Sequence, residues 1–159
     1  MNGAFDISPV RSAGEMATIR QLFIDYVAAI GVDLGFQDFA GELAQLPGKY
    51  AEPQGALLLA HDGGAPLGSV ALRPLGTAGY CEMKRLYVAA AGRGRGVGAA
   101  LVAAVIAAAR ERGYRAMLLD TLPGMTAALR LYERAGFVRI AAYYATPLDD
   151  AVFLRLALE

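Results

Sequence analysis

A single cysteine, Cys81, and a single histidine, His61, stand in this chain of 159 residues. One cysteine excludes an intramolecular disulfide framework and any cysteine-rich zinc site. One histidine leaves a Ser-His-Asp arrangement or a multi-histidine metal centre only that residue to build on, and His61, beside Asp62 and a Gly63-Gly64 turn, is expected to be an exposed turn residue. Net charge is missing too: fifteen Lys plus Arg balance fifteen Asp plus Glu. The overall charge therefore offers no footprint for nucleic acid or an anionic membrane surface. Hydrophobic residues make up 56% of the chain and mean hydropathy is +0.38, yet no apolar run reaches the roughly 18 residues of a membrane span. The longest candidate, Val97 to Ala109, is closed by Arg110, Glu111 and Arg112. The opening MNGAFDISPVR sets Asp6 and Pro9 where an export signal needs a basic start and an apolar run, so a cytoplasmic protein is expected. The length suits one domain over 1–159 with a core of its own.

What is present is unevenly distributed. Residues 1–62 carry three basic and eight acidic side chains, whereas 81–115 carry seven basic and two acidic ones. The first region suits a cation, the second an anion. Along the chain, FDISPV (5–10) is a short strand. Ser12 followed by Glu15 has capping-box spacing and opens a helix to about residue 30, ended by Gly31. A shorter helix is expected over 36–46 and stops at Pro47-Gly48. ALLLAH and PLGSVALRPL flank the Gly63-Gly64 turn as a hairpin. Cys81 to Val88 is the next strand, 97–112 a long alanine-rich helix, 116–121 a buried strand and 125–135 a helix closed by Gly136. Strands are expected over 137–144 and 151–158. Such an order fits an α/β (α+β mixed) fold: a mostly antiparallel mixed sheet of about seven strands with helices on both faces.

The sharpest local signal is Arg93-Gly94-Arg95-Gly96-Val97-Gly98, between a strand and a helix. Free N–H groups at a helix start bind phosphate, and glycine lets it approach the main chain. A Walker loop would need Gly-Lys-Ser/Thr, which is absent. A dinucleotide fingerprint would need Ala99 in place of its third glycine and an acidic residue nearer than Asp120.

The segment CEMKRLYVAAAGRGRGVG (81–98) resembles the acetyl-CoA motif of the GNAT superfamily of N-acetyltransferases, with Arg93, Gly96 and Gly98 at the defining positions. A second block, LRLYERAGFV (129–138), resembles the family's later LYxxxGF motif, and the element order resembles the GNAT fold from end to end. The resemblance implies acetyl-CoA as co-substrate, with no metal. Main-chain groups of Leu86, Tyr87 and Val88 would lie along its pantetheine arm. Those of Arg93, Gly94, Arg95, Gly96, Val97, Gly98 and Ala99 would hold its pyrophosphate. It implies direct acetyl transfer to a primary amine in a ternary complex, with Glu82 as the general base, directly or through water, and Tyr132 as the acid that protonates the departing thiolate. The acidic residues Asp25, Asp33, Asp38 and Glu42 suit a small cationic amine as acceptor, whereas Arg73 and Lys84 suit a carboxylate, which keeps an amino acid open. Tyr80, Tyr143 and Tyr144 are candidates for the acceptor pocket. A protein or peptide N-acetyltransferase, a non-catalytic acetyl-CoA-binding regulatory module and a homodimer also stay open; nucleic acid and membrane are not expected as partners.

Overall fold

The computed structural model describes residues 4–159. Ser12 opens α1 (Ala13–Ile30) as its sequence predicts: its side chain accepts from the Glu15 N–H, while Glu15 reaches back to the Ser12 N–H. Gly31 closes that helix at φ +67°, a conformation that costs glycine little. The remaining elements are β1 (Asp6–Pro9), α2 (Phe39–Gln45), β2 (Ala56–His61), β3 (Pro66–Pro74), β4 (Tyr80–Val88), α3 (Val97–Glu111), β5 (Ala116–Thr121), α4 (Thr126–Ala135), β6 (Val138–Ile140) and β7 (Val152–Ala157). They form one seven-stranded sheet in the order β1-β2-β3-β4-β5-β7-β6. Every pairing is antiparallel except that of β4 with β5.

Alternation along the strands divides the core. Leu57 and Leu59 pack with Ile19, Leu22 and Phe23 of α1, whereas Leu58 and Ala60 pack with Leu101 and Val105 of α3. The small side chains of α3 bring that helix close to the sheet, and Ala108 and Ala109 are buried there. Two elements depart from the sequence reading. The expected helix over 36–46 is split, because Asp38 adopts φ +54° between a 3₁₀ turn at Gly35–Gln37 and α2. The strand expected over 137–144 shrinks to Val138–Ile140, paired only with β7. Tyr143 and Tyr144 instead turn their hydroxyls to carboxylates on β4 and β5.

Two irregularities of β4 shape the centre of the sheet. Its pairing runs from Ala71↔Lys84 to Ser69↔Tyr87, so one β3 residue, Val70, faces two, Arg85 and Leu86. Arg85 takes φ +61°, rare for a residue with a side chain, and its carbonyl accepts from the buried Ser69 hydroxyl at 3.1 Å. On its other edge, β4 pairs with β5 only from Tyr80↔Ala116 to Glu82↔Leu118. Beyond those pairs the two strands splay, leaving a wedge between residues 84–88 and 119–121.

Candidate active site

The wedge is a slot with a volume of about 40 Å³, walled by Met83 to Leu86 of β4, Asp120 and Thr121 of β5, Tyr26 of α1, and Met125 and Tyr132 beside or within α4. Tyr132 arrives there because α4 turns its buried side toward the sheet, where its ring meets Phe137 edge-on at 5.7 Å. Its hydroxyl makes no hydrogen bond to protein among the described residues. Burial pushes its pKa above that of a free tyrosine, so it keeps its proton.

The glycine loop follows the splayed end of β4 and leads into α3. Gly94 and Gly96 have φ +75° and +79°, and a Cβ at either would meet nothing within 4 Å. Gly96 precedes α3 without a side-chain cap, and the first bond into the helix runs from Ala100 N–H to Gly96 carbonyl. The N–H groups of Gly94 to Ala99 therefore have no main-chain acceptor among the described residues, a cradle of the right kind for pyrophosphate. Gly98 serves packing: a Cβ there would come within 2.8 Å of Leu131 Cδ1. Val88 packs beside it, Leu86 and Val97 are core residues, and Tyr87 turns to the α1 face against Tyr26. Arg93 is exposed and available to a phosphate. The Arg95 guanidinium is committed instead, donating to Asp62 at 3.0 Å and to the Ala4 carbonyl at 3.2 Å. Asp62 is held down to about 2 by the N–H groups of Ala65 and Gly64 and then by Arg95.

These features set up a first test. Gly96→Val is expected to abolish acetyl-CoA binding, with the branched side chain filling the open space above the loop. The positive φ should cost on the order of 1–3 kcal/mol, and Gly113→Val supplies the control, since Gly113 has φ +80° and equally open surroundings. Equal losses of Tm with binding lost only at residue 96, measured by thermal unfolding and calorimetry, are the expected outcome. Retained affinity in Gly96→Val would remove the loop from cofactor binding.

A second, larger cavity, with a volume of about 480 Å³, adjoins the wedge on the α2 side and shares Gln37, Lys84 and Arg85 with it. Glu82 is 3% exposed and lines this cavity, not the wedge of Tyr132. The two residues assigned catalytic roles from sequence are thus on neighbouring cavities, linked through Lys84 and Asp120. Lys84 Nζ lies 3.8 Å from Glu82 and 3.6 Å from Asp120. Each carboxylate accepts from a tyrosine of the 141–150 loop, Glu82 from Tyr143 at 2.5 Å and Asp120 from Tyr144 at 2.7 Å. Burial first, then the partner carboxylate, raises both tyrosine pKa values. Arg73 completes the group, its Nε 3.6 Å from Glu82.

Sequence reasoning misses Asp120 as a site residue, because nothing local marks an aspartate in a buried strand as belonging with residues 84 and 144. The other acidic candidates are largely spent. Glu42 accepts two bonds from Arg85, at 3.0 and 2.9 Å, and one from Tyr50 at 2.8 Å. Asp33 accepts from Gly35 N–H and Asp25 from Gln21. Arg85 also stacks over Phe39 at 5.3 Å, so it binds α2 to the sheet and is not free for a phosphate. Tyr80 lies under Arg115 and Arg155, outside both cavities. His61 meets Ser8 at 3.0 Å between β1 and β2 and is only partly exposed. Cys81 is fully buried, and burial pushes its thiol up to about 12, which argues against a cysteine nucleophile. Among the described residues no three His, Cys, Asp or Glu are placed to hold a metal, and no helix is long and apolar enough to cross a membrane.

The sequence profile of the acetyltransferase (GNAT) family matches residues 19–137. An uncharacterised N-acetyltransferase of Schizosaccharomyces pombe is 40% identical over 154 residues, covering 96% of this chain and 94% of that protein. Among solved structures, a GNAT-family acetyltransferase of Staphylococcus aureus superposes with a TM-score of 0.80 at 19% identity, over 98% of this chain and 100% of that one. The YncA protein of Salmonella typhimurium, solved with its cofactor acetyl-CoA, superposes with a TM-score of 0.71 at 23% identity, over 98% of this chain and 95% of that one.

Proposed function

The chain belongs to the acetyltransferase (GNAT) family and is an acyltransferase, and from that premise we propose that it transfers an acetyl group from acetyl-CoA to the primary amine of a small molecule by direct attack in a ternary complex. The observation that carries this reading is the splayed β4–β5 wedge, with the glycine loop following the splayed end of β4, Tyr132 in the wedge wall and a larger cavity beside it that shares Gln37, Lys84 and Arg85. The larger cavity has the volume of a small-molecule site.

Acetyl-CoA would supply the activated thioester; the protein's part is position and protons. The unpaired main-chain edge of β4 beyond Glu82 offers hydrogen bonds to an extended arm. The N–H groups of Gly94 to Ala99 offer them to phosphate, and Arg93 adds charge. Tyr132, protonated and without a protein partner, is the donor for the departing sulfur. At the acceptor end, an alkylammonium with a pKa of about 10.4 has to lose a proton before it attacks. Glu82 takes that proton in this reading, with the Tyr143 hydroxyl as a relay: Tyr143 Oη accepts from the amine as its own proton passes to Glu82. Lys84 and Asp120 continue the polar chain toward the wedge.

The test of cofactor use is a thermal shift. Acetyl-CoA at 100 times its Kd should stabilise the protein by about 2.7 kcal/mol, with ATP and NAD without effect. No shift with acetyl-CoA, or an equal one with ATP, would overturn the reading.

A further inference from the structure

The larger cavity has a polarity opposite to the one suggested by the acidic N-terminal region. Of the ionisable side chains lining it, Glu42 and Arg85 satisfy one another, and Glu82 is bound by Tyr143 and flanked by Lys84. Lys84 is in turn shared with Asp120 of the wedge. Arg73 is different. Its Nε faces Glu82 at 3.6 Å and donates to the Pro74 carbonyl at 3.4 Å, while its two terminal nitrogens have no hydrogen-bond partner among the described residues. Lys49, from the turn Gly48–Tyr50, also lines the cavity without an ion-pair partner among the described residues. Asp38 is the lining carboxylate left in the same condition among the described residues, and it is exposed, as Lys49 is.

We propose that the acceptor is an amino carboxylate, a small zwitterion whose carboxylate sits on the terminal nitrogens of Arg73, with Lys49 adding positive charge. This deepens, and rests on, the acetyl-transfer reading. The planar end of an arginine matches the two oxygens of a carboxylate. Its side chain is 25% exposed, with its Nε bonded to the Pro74 carbonyl and facing the buried Glu82, so the guanidinium is already oriented before ligand arrives. A simple alkylammonium entering the same cavity would meet Arg73 with like charge and leave its terminal nitrogens unbonded. With its carboxylate on Arg73, an amino acid sets its amine beside Glu82, the neighbour of Arg73 in the cavity wall.

The experiment monitors CoA release from acetyl-CoA with acceptors in matched pairs: phenylalanine and phenethylamine, leucine and isoamylamine, histidine and histamine, lysine and cadaverine, serine and ethanolamine. The best acceptor should carry the carboxylate. Arg73→Gln should raise its KM roughly 10- to 100-fold, the scale of a charge-assisted bond lost, and raise the KM of the decarboxylated partner far less. Arg73→Lys should fall between the two. A decarboxylated amine that equals or beats its partner overturns the proposal, as does an Arg73→Gln loss that is the same for both. If none of the pairs is turned over, the N-acetyl derivatives of the same compounds are compared for stabilisation of the CoA-bound enzyme, and no advantage for the carboxylates also overturns it. A protein that acetyl-CoA itself fails to stabilise is a separate result, which removes the acetyl-transfer reading along with this one.

Discussion

Tyr132→Phe is expected to lower turnover by about 10²–10⁴-fold while leaving acetyl-CoA affinity nearly unchanged, the range that removal of a positioned general acid produces. The substitution removes one oxygen and keeps the ring, so the edge-on contact with Phe137 at 5.7 Å and the packing of α4 on the sheet survive. Since that hydroxyl has no protein partner among the described residues, no buried group is left unsatisfied, and the stability change should stay within about 1 kcal/mol. The wild-type pH profile adds an independent check. Burial raises the Tyr132 pKa, and the proton-bearing form is the acid, so an acid limb for this group is absent and its alkaline limb lies above that of free tyrosine. Activity should therefore not decline between about pH 8 and 9.5, below the ordinary tyrosine pKa of about 10. Near-wild-type turnover in Tyr132→Phe would take the tyrosine out of the mechanism.

For Glu82→Gln a loss of similar size, about 10²–10⁴-fold, is expected at neutral pH, shrinking as pH rises toward the amine pKa of about 10.4, where the acceptor arrives already deprotonated. This residue is also structural in its surroundings. It is 3% exposed and touches Tyr143, Arg73 and Lys84, so neutralising it leaves Arg73 without a carboxylate and Lys84 with Asp120 alone, and should lower Tm. The pH profile separates the two roles: a base is replaced by hydroxide and a positioning residue is not. Tyr143→Phe should show the same pH-dependent loss if the hydroxyl relays the proton. Asp120→Asn is the comparison that assigns the proton. A loss that disappears at high pH in Asp120→Asn and stays constant in Glu82→Gln would move the base from β4 to β5. Rates measured from about pH 6.5 to 9.5 with one good acceptor decide between them.

Much of this chain is legible without coordinates because the information is local. The capping box at Ser12 and Glu15, the left-handed glycines at 31 and 136, and the alanine-rich α3 each depend on neighbours within a few residues, where hydrogen-bond geometry and helical periodicity leave few alternatives. The glycine loop belongs to the same class, since free N–H groups at a helix start arise from chain direction alone. Even so, only the coordinates distinguish Gly94 and Gly96, which open onto space, from Gly98, which packs on Leu131.

The acceptor side is present in the sequence as residues but not as an arrangement. Strand alternation assigns residues of β4 to faces only while the period of two is unbroken, and the two-for-one register at Arg85 and Leu86 breaks it. Where a bulge falls is decided by the partner strand and by the Ser69 hydroxyl that holds the Arg85 carbonyl, sixteen residues away. The pairings Arg85–Glu42, Tyr143–Glu82 and Tyr144–Asp120 close loops of 43, 61 and 24 residues. No local preference encodes contacts at such separations. They form because burial makes every charge find a partner among whatever the topology brings near. By itself the sequence determined the family, the order of elements and the glycine turn before α3, each carried by short-range pattern. Tertiary structure alone decided which acids are consumed by internal pairing and which arginine is left facing the larger cavity, because charge compensation in a buried site depends on distances across the sheet and not on spacing along the chain.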